Sequence, residues 1–552
     1  MKGRLPIALV LHAHLPLLRH PEHSFHLEER WLLEALSETY LPLTSLLERI
    51  AAEGSRSVLT LSVSPPLGAM LDDELLRERF SRWLEERVAL ATQEERLHPE
   101  VEDLAIFYRA RFEAQLAAWE GVWGRDLLSR WRALDEAGVI ELIPCTATHG
   151  FLPLMATEMG QRAQILEGLR FFRRRFGRDA RGMWLGECAF DHRTDALLAA
   201  AGVRFTFVEG LAAHHASSPP LRGTAAPLLS ARGVAYFPRD PQSAGQVWSS
   251  KGGYPGDPLY REYYRDVGFD RPAEELGAWL HPDGIRTPTG LKYHRVTGSG
   301  DLGQRAWYRP FAADARARHH GRDLCAKLRV RAAAIQGSAG PTPCLTLPFD
   351  AELFGHWWFE GPEFLRALLQ SAALAPELHL TTPGAFLASG PLMQESEPAP
   401  STWGAHGFHE VWLNEKNAWI YRELHALELR LERALRAWPA QASSDEGRRA
   451  WRAALAQVGR ELLLAQASDW AFILHHGTTD RYAIARTIEH VGWGQRLLDA
   501  LEAGAWEQAR DEAAQRLERW PFLPGLEVDT WCGGAHASEA TPVDQSDPQD
   551  LP

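Results

Sequence analysis

The stretch LTLPFDAELFGHWWFEGP, residues 345–362, sets the reading of the whole chain. Leu345 to Phe349 form an apolar run of strand length with no polar alternation, the pattern of a strand buried on both faces. The run stops at Asp350, with Glu352, His356, Trp357 and Trp358 close behind. Acids and tryptophans at the end of a buried strand need a place where several strands finish together. A barrel of parallel strands provides one, because its active site lies at the C-terminal ends of the strands.

Six other runs share this strand character, at residues 5–11, 57–63, 139–143, 183–185, 203–208 and 234–237. Several also end in polar residues: His12 and His14 in HAHLP, His149 in CTATHGFLP and Glu187 in WLGECAF. Helical patterns lie between them, as in residues 28–54, where Gly54 offers a stop. The alternation predicts an α/β parallel barrel.

At 552 residues the chain exceeds one ordinary core. The composition divides it into a barrel over residues 1–400, a C-terminal helical domain over 401–530 and a disordered tail over 531–552. Within the barrel, 72–136 reads as a helical insertion and 243–310 as an irregular Gly/Pro/Tyr-rich segment; such length is usually functional. A Pro-rich stretch at 390–402 reads as a connector.

Hydrophobic residues at 45% and charged residues at 24% are ordinary globular values. The formal net charge of −13 argues against a nucleic-acid surface. The N-terminal apolar run is too short for a membrane span and ends in histidines, so no export signal and no membrane partner are expected. The five cysteines, Cys145, Cys188, Cys325, Cys344 and Cys532, have no CxxC spacing. They predict neither a disulfide framework nor a zinc knuckle, and fit a cytoplasmic protein, monomeric or weakly self-associating. The 21 tryptophans offer flat faces for sugar rings as well as for a core.

A lone strand-end Asp is most often a helix cap. Two carboxyls delivered from different strands into an aromatic mouth match glycoside chemistry, one as nucleophile and one as proton donor. The His-x-His at 12 and 14, with His149 and a carboxylate, admits zinc ligation as a rival. Hydrogen bonding to sugar hydroxyls needs no ion, and the expectation is no metal and no cofactor. The pairs His214–His215 and His475–His476 read as loop or helix-end residues. No Walker loop, GxGxxG after a strand, HExxH or GxSxG is present.

LHAHLP, ATHGFLPL, MWLGECAF, LPFDAELFGHWWFEGP and QASDWAFIL together resemble the successive motifs of glycoside hydrolase family 57, most of all those of its 1,4-α-glucan branching enzymes. The resemblance implies an incomplete seven-stranded (β/α) barrel with a helical insertion and a C-terminal all-helical domain. It implies Glu187 as nucleophile and Asp350 as general acid/base. It also places His12, His14 and His149 in the donor subsite, and Arg265, Gly284, Trp357, Trp403, Trp412 and Asp469 as α-glucan contacts. Tyr236, in GVAYFPRDPQSAGQVW, is the candidate for a loop that covers the acceptor. α-Amylase and 4-α-glucanotransferase activities share the same acid pair. One departure from the family pattern is Gly186, where Pro usually precedes ECAF; Gly is expected to loosen the backbone there.

Overall fold

A computed structural model of the chain describes residues 3–249, 252–298, 300–335, 340–441 and 444–533. Its centre is a ring of parallel strands. β1 (Leu5–Ala13) pairs on one side with β2 (Leu59–Val63), which pairs with β3 (Ile140–Pro144). Cys145 then bridges to Trp184, and Gly182 bridges to Phe205 at the start of β4 (Phe205–Val208). The two-residue strand β5 (Leu228–Leu229) lies outside the ring, antiparallel to β6 (Ala235–Pro238). β6 pairs with β4, Arg239 bridges to Thr346, and β7 (Leu345–Asp350) returns to β1.

Seven chain segments thus close the circle, the fourth of them being only 182–184. That segment, expected as a strand, makes one bridge on each side. β8 (Leu378–Thr381) pairs with the first half of β1, and β9 (Gln394–Glu395) pairs with β5, so the expected connector at 390–402 begins as part of the barrel's outer sheet. β1 is buried along nearly its whole length, which is why its sequence runs apolar without alternation.

Between β2 and β3 the chain forms helices Glu74–Leu97, Glu102–Ala117 and Leu127–Glu136. Asp73 caps the first by accepting from Leu76 N. The irregular segment after β6 is organised by Asp266, which is buried. Its carboxylate accepts from Gly268 N, Thr289 N, Thr289 Oγ1 and Gly290 N at 2.7–2.9 Å. This one side chain ties the 266–268 turn to residues 289 and 290, beside the backbone bond from Val267 N to Leu291 O.

Helices Ala418–Gln441, Asp445–Ala465, Ser468–His476, Asp480–Glu502 and Trp506–Arg519 pack as a bundle against the barrel. Trp531, read from sequence as the start of a disordered tail, is instead fully buried, and its Nε1 donates to Glu167 at 3.0 Å. The rest of that expected tail, 534–552, lies outside the described residues. No helix among the described residues is long and apolar enough to cross a membrane.

Candidate active site

Strand register builds the site. In the parallel pairs His12 is level with Ser62 on β2 and with Asp350 on β7, so a histidine, a serine and an acid stand side by side at the strand ends. Alternation places His14 two residues on, as Ser64 follows Ser62. His12 Nδ1 lies 3.1 Å from Ser62 Oγ and His14 Nδ1 lies 2.8 Å from Ser64 Oγ. The signal in the sequence is spacing alone: Ser-x-Ser repeats the spacing of His-x-His on the neighbouring strand.

Glu187 follows the short 182–184 segment in a tight turn. It adopts φ +60°, ψ 22°, Cys188 follows at φ +47°, and His149 across the mouth has φ +59°. Non-glycine residues in this region store about 1–3 kcal/mol each and concentrate at functional sites. Gly186 does not loosen the turn. A Cβ there would lie 2.5 Å from the His149 carbonyl oxygen and 2.8 Å from that of Gly150, so glycine is what lets these two backbones meet. The expectation of slack is corrected to one of close approach.

Two donors hold the Glu187 carboxyl: Trp403 Nε1 to Oε2 at 2.9 Å and Ser468 Oγ to Oε1 at 2.8 Å. Burial pushes its pKa up to about 7, while these two hydrogen bonds pull it down and Asp469 adds to the rise. Asp350 is raised well above the usual carboxylate range by burial, then by Glu352 and Glu187, with Arg239 opposing. No hydrogen bond to the Asp350 carboxyl occurs among the described residues. The site thus holds one carboxyl stabilised as an anion by donors and one without them.

His12 and His149 are kept neutral by burial and by their neighbouring histidines. His14 bridges outward: its Nε2 lies 3.1 Å from Asp469 Oδ2 on the helical domain, and its backbone N donates to Glu352 Oε1 at 3.1 Å. Tyr40 also donates to Glu352 Oε1. Two groups, His12–Cys145–His149 and His14–His149–Asp469, each gather within 4.8 Å. The rings are stacked, however, His14 on His149 at 4.1 Å and 25° and His12 on His149 at 4.9 Å and 17°. An imidazole binds an ion in its own plane, so an ion in the plane of one ring lies outside that of the next. This geometry suits a layered sugar platform better than chelation.

Four candidates have other places. Trp403 is the donor to Glu187, edge-on to Trp184 at 5.0 Å, so it acts on the carboxylate rather than as an open stacking face. Trp412 is buried against Phe151 at 4.8 Å and cannot stack on a glucan. Tyr236 is no loop residue: it lies in β6, fully buried, and its hydroxyl donates to Asp195 at 2.7 Å. Gly284 sits in an exposed turn at φ +73°, with nothing within 4 Å of its would-be Cβ.

Trp357, 56% exposed, stacks on Tyr263 at 4.8 Å on the rim. Arg265, paired with Asp270 at 3.2 Å, lines with Tyr263 and Tyr264 a surface cavity of about 560 Å³. Ser468, which touches both Glu187 and His149, lies in the quoted QASDW motif beside Asp469. A serine carries no charge, so its type alone does not mark it as a site residue.

Two part-buried carboxyls, one at the end of β7 and one in the turn after the 182–184 segment, the latter held by donors, match an enzyme of glycosidic-bond chemistry. The chain belongs to glycosyl hydrolase family 57, whose model matches residues 8–300. Residues 423–531 match a model described as "1,4-alpha-glucan branching enzyme, C-terminal". A 1,4-alpha-glucan branching enzyme of Thermococcus kodakarensis is 30% identical over 91% of this chain and 74% of its own length. Among solved structures, the alpha-amylase AmyC of Thermotoga maritima superposes with a TM-score of 0.87 at 36% identity, covering 96% of this chain and 99% of that one. A family 57 branching enzyme of Pyrococcus horikoshii superposes with a TM-score of 0.83 at 28% identity, covering 100% and 98%.

Proposed function

We propose that the chain is a 1,4-α-glucan branching enzyme, a retaining transglycosylase in which Glu187 is the nucleophile and Asp350 the general acid/base. The observation that carries this reading is the difference between the two part-buried carboxyls: Trp403 and Ser468 donate to Glu187 and favour its anion, and no described residue donates to Asp350. Glu187 attacks the anomeric carbon of an α-1,4-linked glucose while Asp350 protonates the departing chain. The covalent glycosyl-enzyme has inverted configuration. Asp350, now a base, then deprotonates the 6-hydroxyl of an acceptor glucan, and a second inversion gives an α-1,6 branch. In retaining sites the carboxyls stand about 5–5.5 Å apart, with no room for a water between them.

The sugar contacts follow from the orphaned nitrogens. His12 Nε2 and His149 Nε2 are buried with no partner among the described residues, and a donor glucose would satisfy both. Trp357 supplies a rim stacking face, and Asp469, tied to His14, reaches the cleft from the helical domain. Arg265 lines the nearby cavity that longer chains would reach. The substrate is an amylose- or glycogen-type polymer, which assigns the enzyme to glycogen biosynthesis. Four buried free cysteines support a reducing, cytoplasmic setting.

A second reading is hydrolysis, favoured by the 36% identity to an α-amylase and by the burial of Tyr236, which removes the expected acceptor lid. Incubation with amylose, followed by debranching and chain-length analysis, decides between them. New α-1,6 linkages support branching; reducing ends without branches overturn it in favour of hydrolysis.

A further inference from the structure

The hydroxyl of Ser468 stands between two groups of the site, 2.8 Å from Glu187 Oε1 and 2.8 Å from His149 Nδ1. The direct distance from His149 Nδ1 to Glu187 Oε1 is 3.6 Å, so the serine is the bridge. A hydroxyl has one hydrogen to donate, and an ionised carboxylate only accepts. With Glu187 charged, that hydrogen goes to Oε1, and Ser468 must accept from His149. The imidazole proton is then fixed on Nδ1, and the buried, unpartnered Nε2 is a bare acceptor.

With Glu187 protonated the chain reverses. One proton enters at His149 Nε2, the Nδ1 proton passes to Ser468 Oγ, and the hydroxyl proton passes to Oε1. The ring and the hydroxyl end neutral, and the carboxylate has gained the proton.

We propose that Ser468, delivered by the helical domain, is a positioning residue that couples the ionisation of Glu187 to the tautomer of His149. The ring then accepts a hydrogen bond from a sugar hydroxyl only when the nucleophile is charged. This rests on the reading of Glu187 as nucleophile. The other titratable groups facing Glu187 are His14 just after β1, Cys145 after β3, Cys188 in its own turn and Asp350 on β7. The helical domain adds Asp469 and Tyr421. His149 is faced by His12, His14, Cys145 and Asp469. Among the described residues, Ser468 alone hydrogen-bonds Oε1.

The test uses the full-length chain, with kcat/KM on amylose measured against pH for wild type, Ser468→Ala and Ser468→Thr. Histidine-¹⁵N spectra, with His149 assigned by its own substitution, are recorded on the same proteins. Loss of a hydrogen bond to a charged group predicts that Ser468→Ala is about 10-fold slower near neutrality. Its acidic limb moves up by about one pH unit, so activity recovers on the alkaline side. Ser468→Thr keeps the hydroxyl and the wild-type profile. In wild type the Nε2 resonance of His149 follows the acidic limb; in Ser468→Ala it does not.

An Ala profile that superimposes on wild type, an equal loss at every pH in both variants, or a His149 tautomer independent of the acidic limb overturns the coupling. Turnover retained in Glu187→Gln would instead sink the nucleophile assignment, whatever the serine variants show.

Discussion

Glu187 is held between opposing influences, and their balance sets what the site can do. Burial raises its proton affinity, and Trp403 and Ser468 lower it, leaving it near neutrality. Asp350, part-buried beside Glu352 and Glu187 without a donor among the described residues, is raised well above the usual carboxylate range. The two titrate as a pair, so a rate profile reports values that belong to both. Because the protonated nucleophile cannot attack, kcat/KM should fall as pH drops through about 7, the direction set by the raised Glu187 value. Trp403→Phe removes one donor to the anion and should move that limb to higher pH, read from the same profile. Glu187→Gln should abolish turnover while affinity electrophoresis in amylose gels still shows binding. Asp350→Asn removes proton transfer, worth about 10²–10⁴-fold; a smaller loss on amylose would move the acid role elsewhere.

At the scale of the element, what was legible followed from periodicity. Unbroken apolar runs marked each of the seven ring segments, most of them as buried on both faces, and the polar residues that end several of them marked the mouth. What was not legible came from register and from facing direction. Ser62 and Ser64 matter only because parallel pairing sets them against His12 and His14. The 182–184 segment is held by single bridges, which no run of three residues announces. Tyr236 sits between Ala235 and Phe237, which face the barrel interior, so alternation turns it outward toward Phe190 and Leu198. A tyrosine read for its type alone cannot show which way its strand points it. Tyr236→Phe should therefore cost about 1–2 kcal/mol in urea unfolding, through the lost hydrogen bond to Asp195, and leave the ratio of branching to hydrolysis unchanged. A rise in hydrolysis would restore a covering role.

The whole molecule makes its cleft from two domains, and the joint is built of polar groups that neither domain satisfies alone. Glu428 of the helical domain accepts from Ala156 N and Thr157 N on the barrel side, and Gln164 donates to Gln466. Asp469 meets His14, and Ser468 meets Glu187. Trp531 completes the joint: its ring packs on helix Asp445–Ala465 at Gly459, where a Cβ would come within 2.6 Å, and its Nε1 donates to Glu167 of helix Glu158–Phe176. Trp531→Ala would leave a cavity between the domains and take a donor from the buried Glu167. The expected loss is about 3–5 kcal/mol, read as a lower denaturant midpoint. Because the same joint delivers Ser468 to the nucleophile, kcat should fall with it even where the protein is still folded. If the midpoint falls and kcat holds, the helical domain sets the stability of the barrel without setting its chemistry.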